Sequence, residues 1–260
     1  TREKIHHKIL ELDYHPSAAA RSLKTRQTQR IGLVPIISPE DYRSTDPGDN
    51  AFLELLAGLN SIAAENGYAI LITAAPNYAQ ELKTYERLIG EGQVDGVVLM
   101  GIRPQDERLQ FLSQKNFPFV AYGKSDVSME YPYVDVDGAA GMEMAIRHLT
   151  ELGHERIAYI TPPNGLMCTS QRWEGYVRGM AENHLTINQD YVVEGDFNQR
   201  AGQMSAHLLL DLPQPPTAII TANDICAFGA MRALQARGLQ VGRDVSVVGF
   251  DDISLADHWQ

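Results

Sequence analysis

Residues 94–122, which read VDGVVLMGIRPQDERLQFLSQKNFPFVAY, contain one complete strand–helix–strand unit. The runs at 94–100 and 117–122 are short, apolar and bounded by polar residues, a pattern typical of buried strands. Between them, residues 105–114 place apolar side chains at helical spacing. Two buried strands joined by an amphipathic helix predict a parallel β–α–β unit with a right-handed crossover.

The same alternation of strands and helices extends in both directions from this unit. Further strands are predicted at 31–36, 68–73, 133–136, 156–161, 191–194, 217–221 and 245–250. Further helices are predicted at 52–66, 80–89, 139–152, 170–183, 202–210 and 225–237. We therefore predict an α/β fold with two doubly wound parallel-sheet lobes, a first lobe at 30–127 and a second lobe at 128–260.

Composition and charge separate the first 30 residues from the rest of the chain. The 260 residues are 44% hydrophobic and 21% charged, as in a folded globular protein. The chain carries a net charge of −11, but residues 1–30 hold seven basic and three acidic side chains, a local charge of +4. A basic segment on an acidic body indicates contact with phosphate. The alternative is a solvated tail that happens to contain several lysines and arginines.

The sequence gives no indication of a membrane span, an export signal or a disulfide framework. No apolar run approaches the ~20 residues that a span needs, and the N-terminus has no basic-then-apolar leader. The cysteines are Cys168 and Cys226, too few for a framework, so we expect a reducing, cytoplasmic location. We also expect further residues before Thr1, which begins inside a pattern, and after the last predicted strand, which has no following helix.

The candidate binding residues follow the predicted strands. Ligands of doubly wound sheets bind outside the carboxyl ends of the strands. The side chains found there are Asp137, Cys168, Arg172, Phe197, Asn223 and Asp251. Carboxylate, amide and guanidinium groups match the hydroxyls of a sugar, and an aromatic ring can stack on its ring. The alternatives are that Asp137 caps a helix, Asn223 forms a turn and Arg172 lies on the surface.

The motifs of common enzyme classes are missing from the sequence. It contains no GxSxG elbow, HExxH motif, phosphate-binding loop or GxGxxG turn. Cys168 has no recognisable histidine partner, and the Asp251-Asp252 pair lacks a third metal ligand at a sensible spacing. We therefore expect no catalytic residues, no cofactor and no metal.

Several longer motifs resemble the lactose-repressor (LacI/GalR) family. TREKI at 1–5 and LDYHPSAAARSL at 12–23 are similar to the end of that family's DNA-binding headpiece and its hinge helix. The motifs of the body are IGLV at 31–34, VDG at 94–96, LGHERIA at 152–158, TANDICAFGA at 221–230 and DVSVVGFDD at 244–252. Together they cover nearly the whole chain in the order and spacing of the family.

The resemblance implies a fold, a ligand site and a class of function. The fold would be a pair of periplasmic-binding-protein-like lobes of type I with a small effector in the cleft between them. The family's effector positions fall on Asp137, Arg172, Asn223 and Asp251, with Phe197 as the aromatic platform and Cys168 as a further lining residue. Asp137 and Asn223 beside Arg172 are similar to the sugar-binding branch. Purine-binding relatives share the arginine and the last aspartate, so those two residues alone do not discriminate between the branches.

With respect to DNA binding, the resemblance implies a homodimeric repressor that binds an operator. Leu23 matches the leucine that the hinge helix inserts into the minor groove, and Ser17, Ala19 and Ala20 are small enough for two hinges to approach each other. Residues 1–29 would then be the end of the headpiece, the hinge and a linker. The helix-turn-helix that reads the major groove would precede Thr1. The alternatives are a sugar-binding protein for transport or chemosensing, and a repressor with a purine-like effector.

Overall fold

A computed structural model describes residues 7, 8, 11, 27–37 and 50–258 of the chain, with the side chains of residues 50 and 51 left out. The predicted hinge positions Ser17, Ala19, Ala20 and Leu23 lie outside the described residues, so their roles stay predictions. Within the described ranges, no helix combines the length and the apolar character needed to cross a membrane.

The first sheet has five parallel strands. They are β1 (Arg30–Leu33), β2 (Ala69–Ile72), β3 (Gly96–Leu99), β4 (Phe119–Tyr122) and β5 (Tyr133–Val134), arranged in the order β2-β1-β3-β4-β5. The helices of this part are α1 (Asn50–Glu65), α2 (Tyr78–Gly90) and α3 (Glu107–Gln114). All four residues of the central strand β3 are buried, as expected for a parallel strand covered on both faces.

The second sheet has four parallel strands. They are β6 (Ile157–Thr161), β7 (Val192–Glu194), β8 (Ala218–Ile220) and β9 (Ser246–Val248), arranged in the order β7-β6-β8-β9. Its helices are α4 (Gly138–Glu151), α5 (Met167–Glu182), α6 (Gln199–Leu210) and α7 (Asp224–Ala236), with short 3-10 helices at Gln189–Tyr191 and Ala256–His258. Two parallel sheets with crossover helices confirm the predicted fold class. We call each sheet with its helices a lobe.

One predicted strand belongs to the other lobe. The sequence analysis assigned 133–136 to the second lobe, but Tyr133 pairs with Ala121 and Val134 with Tyr122 at the edge of the first sheet. The error has a physical reason, because this strand has only two residues and both are exposed. Its side-chain pattern therefore carries no information about which sheet it extends. The division of the chain at 127/128 is otherwise still a prediction.

Two glycines allow α6 and α7 to pack in direct backbone contact. A Cβ atom at Gly202 would lie 2.0 Å from the carbonyl oxygen of Cys226, and one at Gly229 would lie 2.0 Å from that of Gln199. Any larger residue would push the two helices apart. This close packing fixes the N-terminal ends of both helices, which border the candidate site.

Candidate functional site

A cavity of about 280 Å³ lies between the two lobes at the carboxyl ends of their strands. The first lobe contributes residues that follow β3 and β4 together with Phe52 from α1. The second lobe contributes five of the six predicted site residues, namely Cys168, Arg172, Phe197, Asn223 and Asp251. The structure therefore brings these five side chains, which come from four separate segments of the sequence, to a single cavity. Their contact with an effector is still a prediction.

Arg172 is held in a fixed position beside this cavity. Its Nη1 donates a hydrogen bond to the carbonyl oxygen of Ala222 at 2.6 Å. Its guanidinium carbon lies 3.6 Å from the ring centroid of Phe250, a close cation–π contact. Its buried Nε has no hydrogen-bond partner among the described residues. A charged group fixed in advance in this way loses little conformational entropy when it binds an acceptor.

Asn223 has a structural role in addition to its place in the cavity wall. It is 2% exposed and is the N-cap of α7, where its Oδ1 accepts a hydrogen bond from the backbone N–H of Cys226 at 2.8 Å. Its Nδ2 donates to the carbonyl oxygen of Phe197 at 3.3 Å. A side-chain amide has two N–H donors, so one remains for a ligand.

Asp137 also caps a helix, which is the alternative role that the sequence analysis gave for it. Its Oδ1 accepts a hydrogen bond from the backbone N–H of Ala140 at 2.9 Å in the first turn of α4. Its neighbours Val136 and Gly138 contribute to the cavity wall, but Asp137 itself is not among the lining residues. A direct role for Asp137 in effector binding stays a prediction.

The carboxylate that does line the cavity near this point is that of Asp135, which sequence reasoning missed. Its Oδ2 accepts hydrogen bonds from the backbone N–H of Lys124 and from Nε2 of Gln171, both at 3.2 Å. Lys124 follows β4 in the first lobe, and Gln171 is on α5 in the second lobe. Asp135 therefore connects the two lobes at the edge of the cavity.

The loop after β9 holds Asp251 in an uncommon backbone conformation. Asp251 has φ 104° and Asp252 has φ 56°, values that residues other than glycine seldom adopt. Asp224 anchors this loop, because its backbone N–H donates to the carbonyl oxygen of Phe250 and its Oδ2 accepts from the N–H of Ile253, both at 2.9 Å. Burial raises the pKa of the Asp224 carboxyl above its usual value. A strained residue in a cavity wall is often a functional one.

Cys168 lines the cavity as a neutral thiol. Burial raises the pKa of this thiol, although the nearby charge of Arg172 acts in the opposite direction. Because the thiolate is the nucleophilic form, a raised pKa lowers the reactivity of the side chain. The chemistry of Cys168 is therefore that of a small apolar lining group.

A buried ionic network supports the first-lobe wall of the cavity. Arg108 is 1% exposed and donates to the carbonyl oxygens of Met100 and Gly101, both at 2.9 Å, and to Oδ2 of Asp106 at 2.5 Å. It also forms an ion pair with Glu81 of α2. Met100 and Gly101 line the cavity, so the network fixes the backbone of that wall.

The wall next to this network makes a direct backbone contact with the other lobe. The carbonyl oxygen of Ile102 accepts a hydrogen bond from the N–H of Met167, the first residue of α5, at 2.8 Å. Helix α5 also contains Gln171 and Arg172. A movement between the lobes would therefore alter both walls of the cavity together.

Comparison with known proteins relates this arrangement to a family of gene regulators. Residues 146–260 match the model of the periplasmic binding protein-like domain. The chain is 35% identical to the HTH-type transcriptional regulator AglR of Rhizobium meliloti, over 97% of this chain and 70% of that protein. It is 33% identical to the HTH-type transcriptional repressor CytR of Escherichia coli, over 98% of this chain and 72% of that protein. These relatives are transcriptional regulators and not enzymes.

Solved structures give the same relationship. A regulatory protein of the LacI family from Chloroflexus aggregans superposes with a TM-score of 0.75 at 34% identity, covering 89% of this chain and 81% of that one. The transcriptional regulator CelR in complex with cellobiose superposes with a TM-score of 0.78 at 28% identity, covering 99% of this chain and 75% of that one.

Proposed function

This chain belongs to the LacI family of transcriptional regulators, and we propose that it is a repressor whose DNA binding is controlled by a sugar in the cavity between its lobes. The observation that carries the proposal is the wall of that cavity, where Arg172, Asn223 and Asp251 lie together with the ring of Phe197. The CelR structure, a relative in complex with cellobiose, supports a saccharide as the effector.

The lining groups suit a neutral molecule with many hydroxyls. The carboxylates of Asp135 and Asp251 accept hydrogen bonds, and Arg172 and the remaining N–H of Asn223 donate them. Aromatic side chains from both lobes, Phe52, Tyr122 and Phe197, offer apolar surface for the faces of a sugar ring. Lys124 and Arg172 balance Asp135 and Asp251, so the formal charge of these four groups sums to zero.

Control of DNA binding would follow from the position of the cavity between two lobes. A ligand shifts an equilibrium between lobe arrangements only by its difference in affinity for them. An effector that contacts Asp251 and the loop after β3 contacts both lobes, so its affinity depends on their arrangement. We propose that this arrangement sets the pairing of the hinge segment with its Leu23 in a dimer, and hence operator affinity.

The experiment is a thermal-shift screen of the purified full-length regulator. The panel contains glucose, galactose, maltose, cellobiose, sucrose and melibiose, with hypoxanthine, guanine, adenosine and cytidine as the competing class. A ligand at one hundred times its Kd stabilises a protein by about 2.7 kcal/mol, which raises the Tm by several degrees. We expect a sugar to do this. A rise with a purine or nucleoside alone would contradict the sugar assignment.

A gel-shift assay with the regulator's own promoter region distinguishes a repressor from a sugar-binding protein for transport. We expect the full-length regulator to bind this DNA and the stabilising sugar to change its affinity. Tight sugar binding with no effect on any DNA fragment of the promoter would contradict the proposed control. The gel-shift result therefore tests the control of DNA binding whichever effector the thermal-shift screen identifies.

A further inference from the structure

A second concave site lies in the second lobe, on the other side of α5 from the cavity described above. It is a groove of about 390 Å³ between β7, α5 and the loop after β6. Small-molecule pockets have volumes of roughly 300–1,000 Å³, so the groove is large enough for one small ligand. None of the described residues that line it also lines the interlobe cavity. The two sites are therefore distinct.

The groove exists because β7 is the edge strand of its sheet. Val193 packs into the core beneath α6 and α7, whereas Val192 packs into the core beneath α4 and α5. Glu194, two residues after Val192, shares its face of the strand. The described sheet has no further strand beyond β7. The face of β7 that carries Val192 and Glu194 therefore borders the groove beside α5.

One wall of the groove is an indole ring that is held rigidly. Trp173 stacks on Tyr176 with ring centroids 5.6 Å apart, and Tyr176 stacks on Tyr159 with centroids 5.3 Å apart. Both tyrosines are fully buried, so they fix the half-buried tryptophan from the core side. A fixed aromatic wall provides apolar contact to a ligand at little entropic cost.

Besides the indole ring, the lining of the groove has polar groups available to a ligand. Oε1 of Glu194 accepts a hydrogen bond from the backbone N–H of Asn164 at 3.2 Å, which positions the carboxylate against the loop after β6. Within the described part of the chain, the side chains of Asn164, Ser170 and Gln189 make no hydrogen bonds to protein. Amide, hydroxyl and carboxylate groups together provide both donors and acceptors.

The charge of the groove limits the class of ligand. Glu194 is the one ionisable side chain among its described lining residues, so no Lys, Arg or His of that set compensates an anion. A phosphate or carboxylate would be repelled. We propose that this groove binds a neutral polyhydroxylated molecule of about one sugar ring, with Trp173 against an apolar face and Glu194 accepting from hydroxyls.

The groove and the interlobe cavity share helix α5 as a common wall. Cys168, Gln171 and Arg172 line the cavity, whereas Ser170 and Trp173 line the groove. A ligand that restrains α5 from the groove side would therefore act on the position of Arg172. The groove site does not depend on the proposed effector, since it uses none of the same side chains.

The test is a fluorescence titration of Trp173 in a Trp259→Phe background, which leaves it the sole tryptophan of the chain. The probes are the methyl glycosides of glucose, galactose and mannose, with glucose 6-phosphate and tetramethylammonium for comparison. Arg172→Ala is added to weaken binding in the cavity, and Asp251→Asn is used instead if the Arg172→Ala variant does not fold. We expect saturable binding of at least one methyl glycoside.

Variants of the groove identify the site of that binding. Glu194→Gln is expected to raise the Kd of the methyl glycoside about tenfold, as for the loss of one charge-assisted hydrogen bond. Glu182→Gln, at an exposed carboxylate of α5 outside the groove, is expected to leave the Kd unchanged. No saturation with any of the three glycosides would overturn the proposal. So would an unchanged Kd in Glu194→Gln, or saturation by tetramethylammonium or glucose 6-phosphate alone.

Discussion

At the scale of single residues, the cavity wall contains groups whose positions are fixed before any ligand arrives. Arg172 is held by the ring of Phe250 and the carbonyl oxygen of Ala222, and Asn223 is held by the first turn of α7. Asp251 is held by a loop that Asp224 anchors. A ligand that contacts any of these groups would therefore meet it in a conformation that is already fixed.

Arg172→Ala should weaken effector binding strongly while the fold is retained. A charge-assisted hydrogen bond contributes roughly 1.5–3 kcal/mol, which corresponds to a ten- to hundredfold rise in Kd. The measurement is isothermal titration with the sugar that gives the largest thermal shift. The matched control is Arg178→Ala, which removes an exposed arginine of the same helix that bonds Glu143 at 2.6 Å. Unchanged affinity in Arg172→Ala would remove this residue from the site.

Asp251→Asn separates ligand binding from a purely structural role. The substitution keeps the size of the side chain and replaces an acceptor by a donor at one of its two positions. If Asp251 accepts from two hydroxyls, the Kd should rise about tenfold with little change in Tm. If the Asp251 carboxylate serves only to cap the turn, the Tm should fall slightly and the Kd should stay the same. Titration and thermal unfolding of one variant therefore distinguish the two roles.

At the scale of helices, contact between α6 and α7 determines the geometry on one side of the cavity. The glycines at 202 and 229 leave no room for a side chain between the two backbones. Asn223 and Phe197, which lie just before these helices, are joined by a hydrogen bond of 3.3 Å. The spacing of the helix pair therefore sets the positions of the amide and the aromatic ring.

Gly202→Ala should destabilise the protein by at least about 2 kcal/mol, because the new Cβ would lie 2.0 Å from the carbonyl oxygen of Cys226. The measurement is urea unfolding followed by circular dichroism. The control is Gly58→Ala in α1, where a Cβ atom would have no heavy atom within 4 Å. That variant should be neutral or more stable by up to about 1 kcal/mol, because alanine favours the helix. Equal stabilities of the two variants would contradict the close contact.

At the scale of the whole molecule, the two lobes meet around the cavity and leave apolar surface elsewhere. Met204 and Leu208 are 57% and 61% exposed, and they lie one turn apart on α6. Together these two side chains form a contiguous apolar stripe, and contiguous apolar surface can mark a protein interface. We propose that it contributes to a contact between two copies of this chain in a homodimer.

Leu208→Glu should weaken that dimer, since it places a charge within an apolar contact. Light scattering after size-exclusion chromatography at micromolar concentration should give the mass of a dimer for the parent and that of a monomer for the variant. The control is Glu182→Gln, an exposed substitution on α5. A dimer with unchanged stability in Leu208→Glu would place the interface on another surface.

The sequence alone predicted most of the elements, because their signals are local. Apolar runs marked strands such as β3 and β6, and helical spacing marked the helices between them. The rule that ligands bind at the carboxyl ends of parallel strands selected Arg172, Asn223 and Asp251, all of which line the cavity.

The tertiary structure decided what depends on contacts between distant residues. It assigned β5 to the first sheet through pairing with β4, placed Asp135 rather than Asp137 in the cavity wall, and joined Glu81 to Arg108 beneath it. The side-chain pattern of a two-residue exposed strand does not indicate which strand it pairs with. A buried ion pair between α2 and α3 likewise leaves no periodic signal in the sequence. Local propensity and spacing fix the elements, whereas their pairing is set by the burial and hydrogen bonding of the assembled chain.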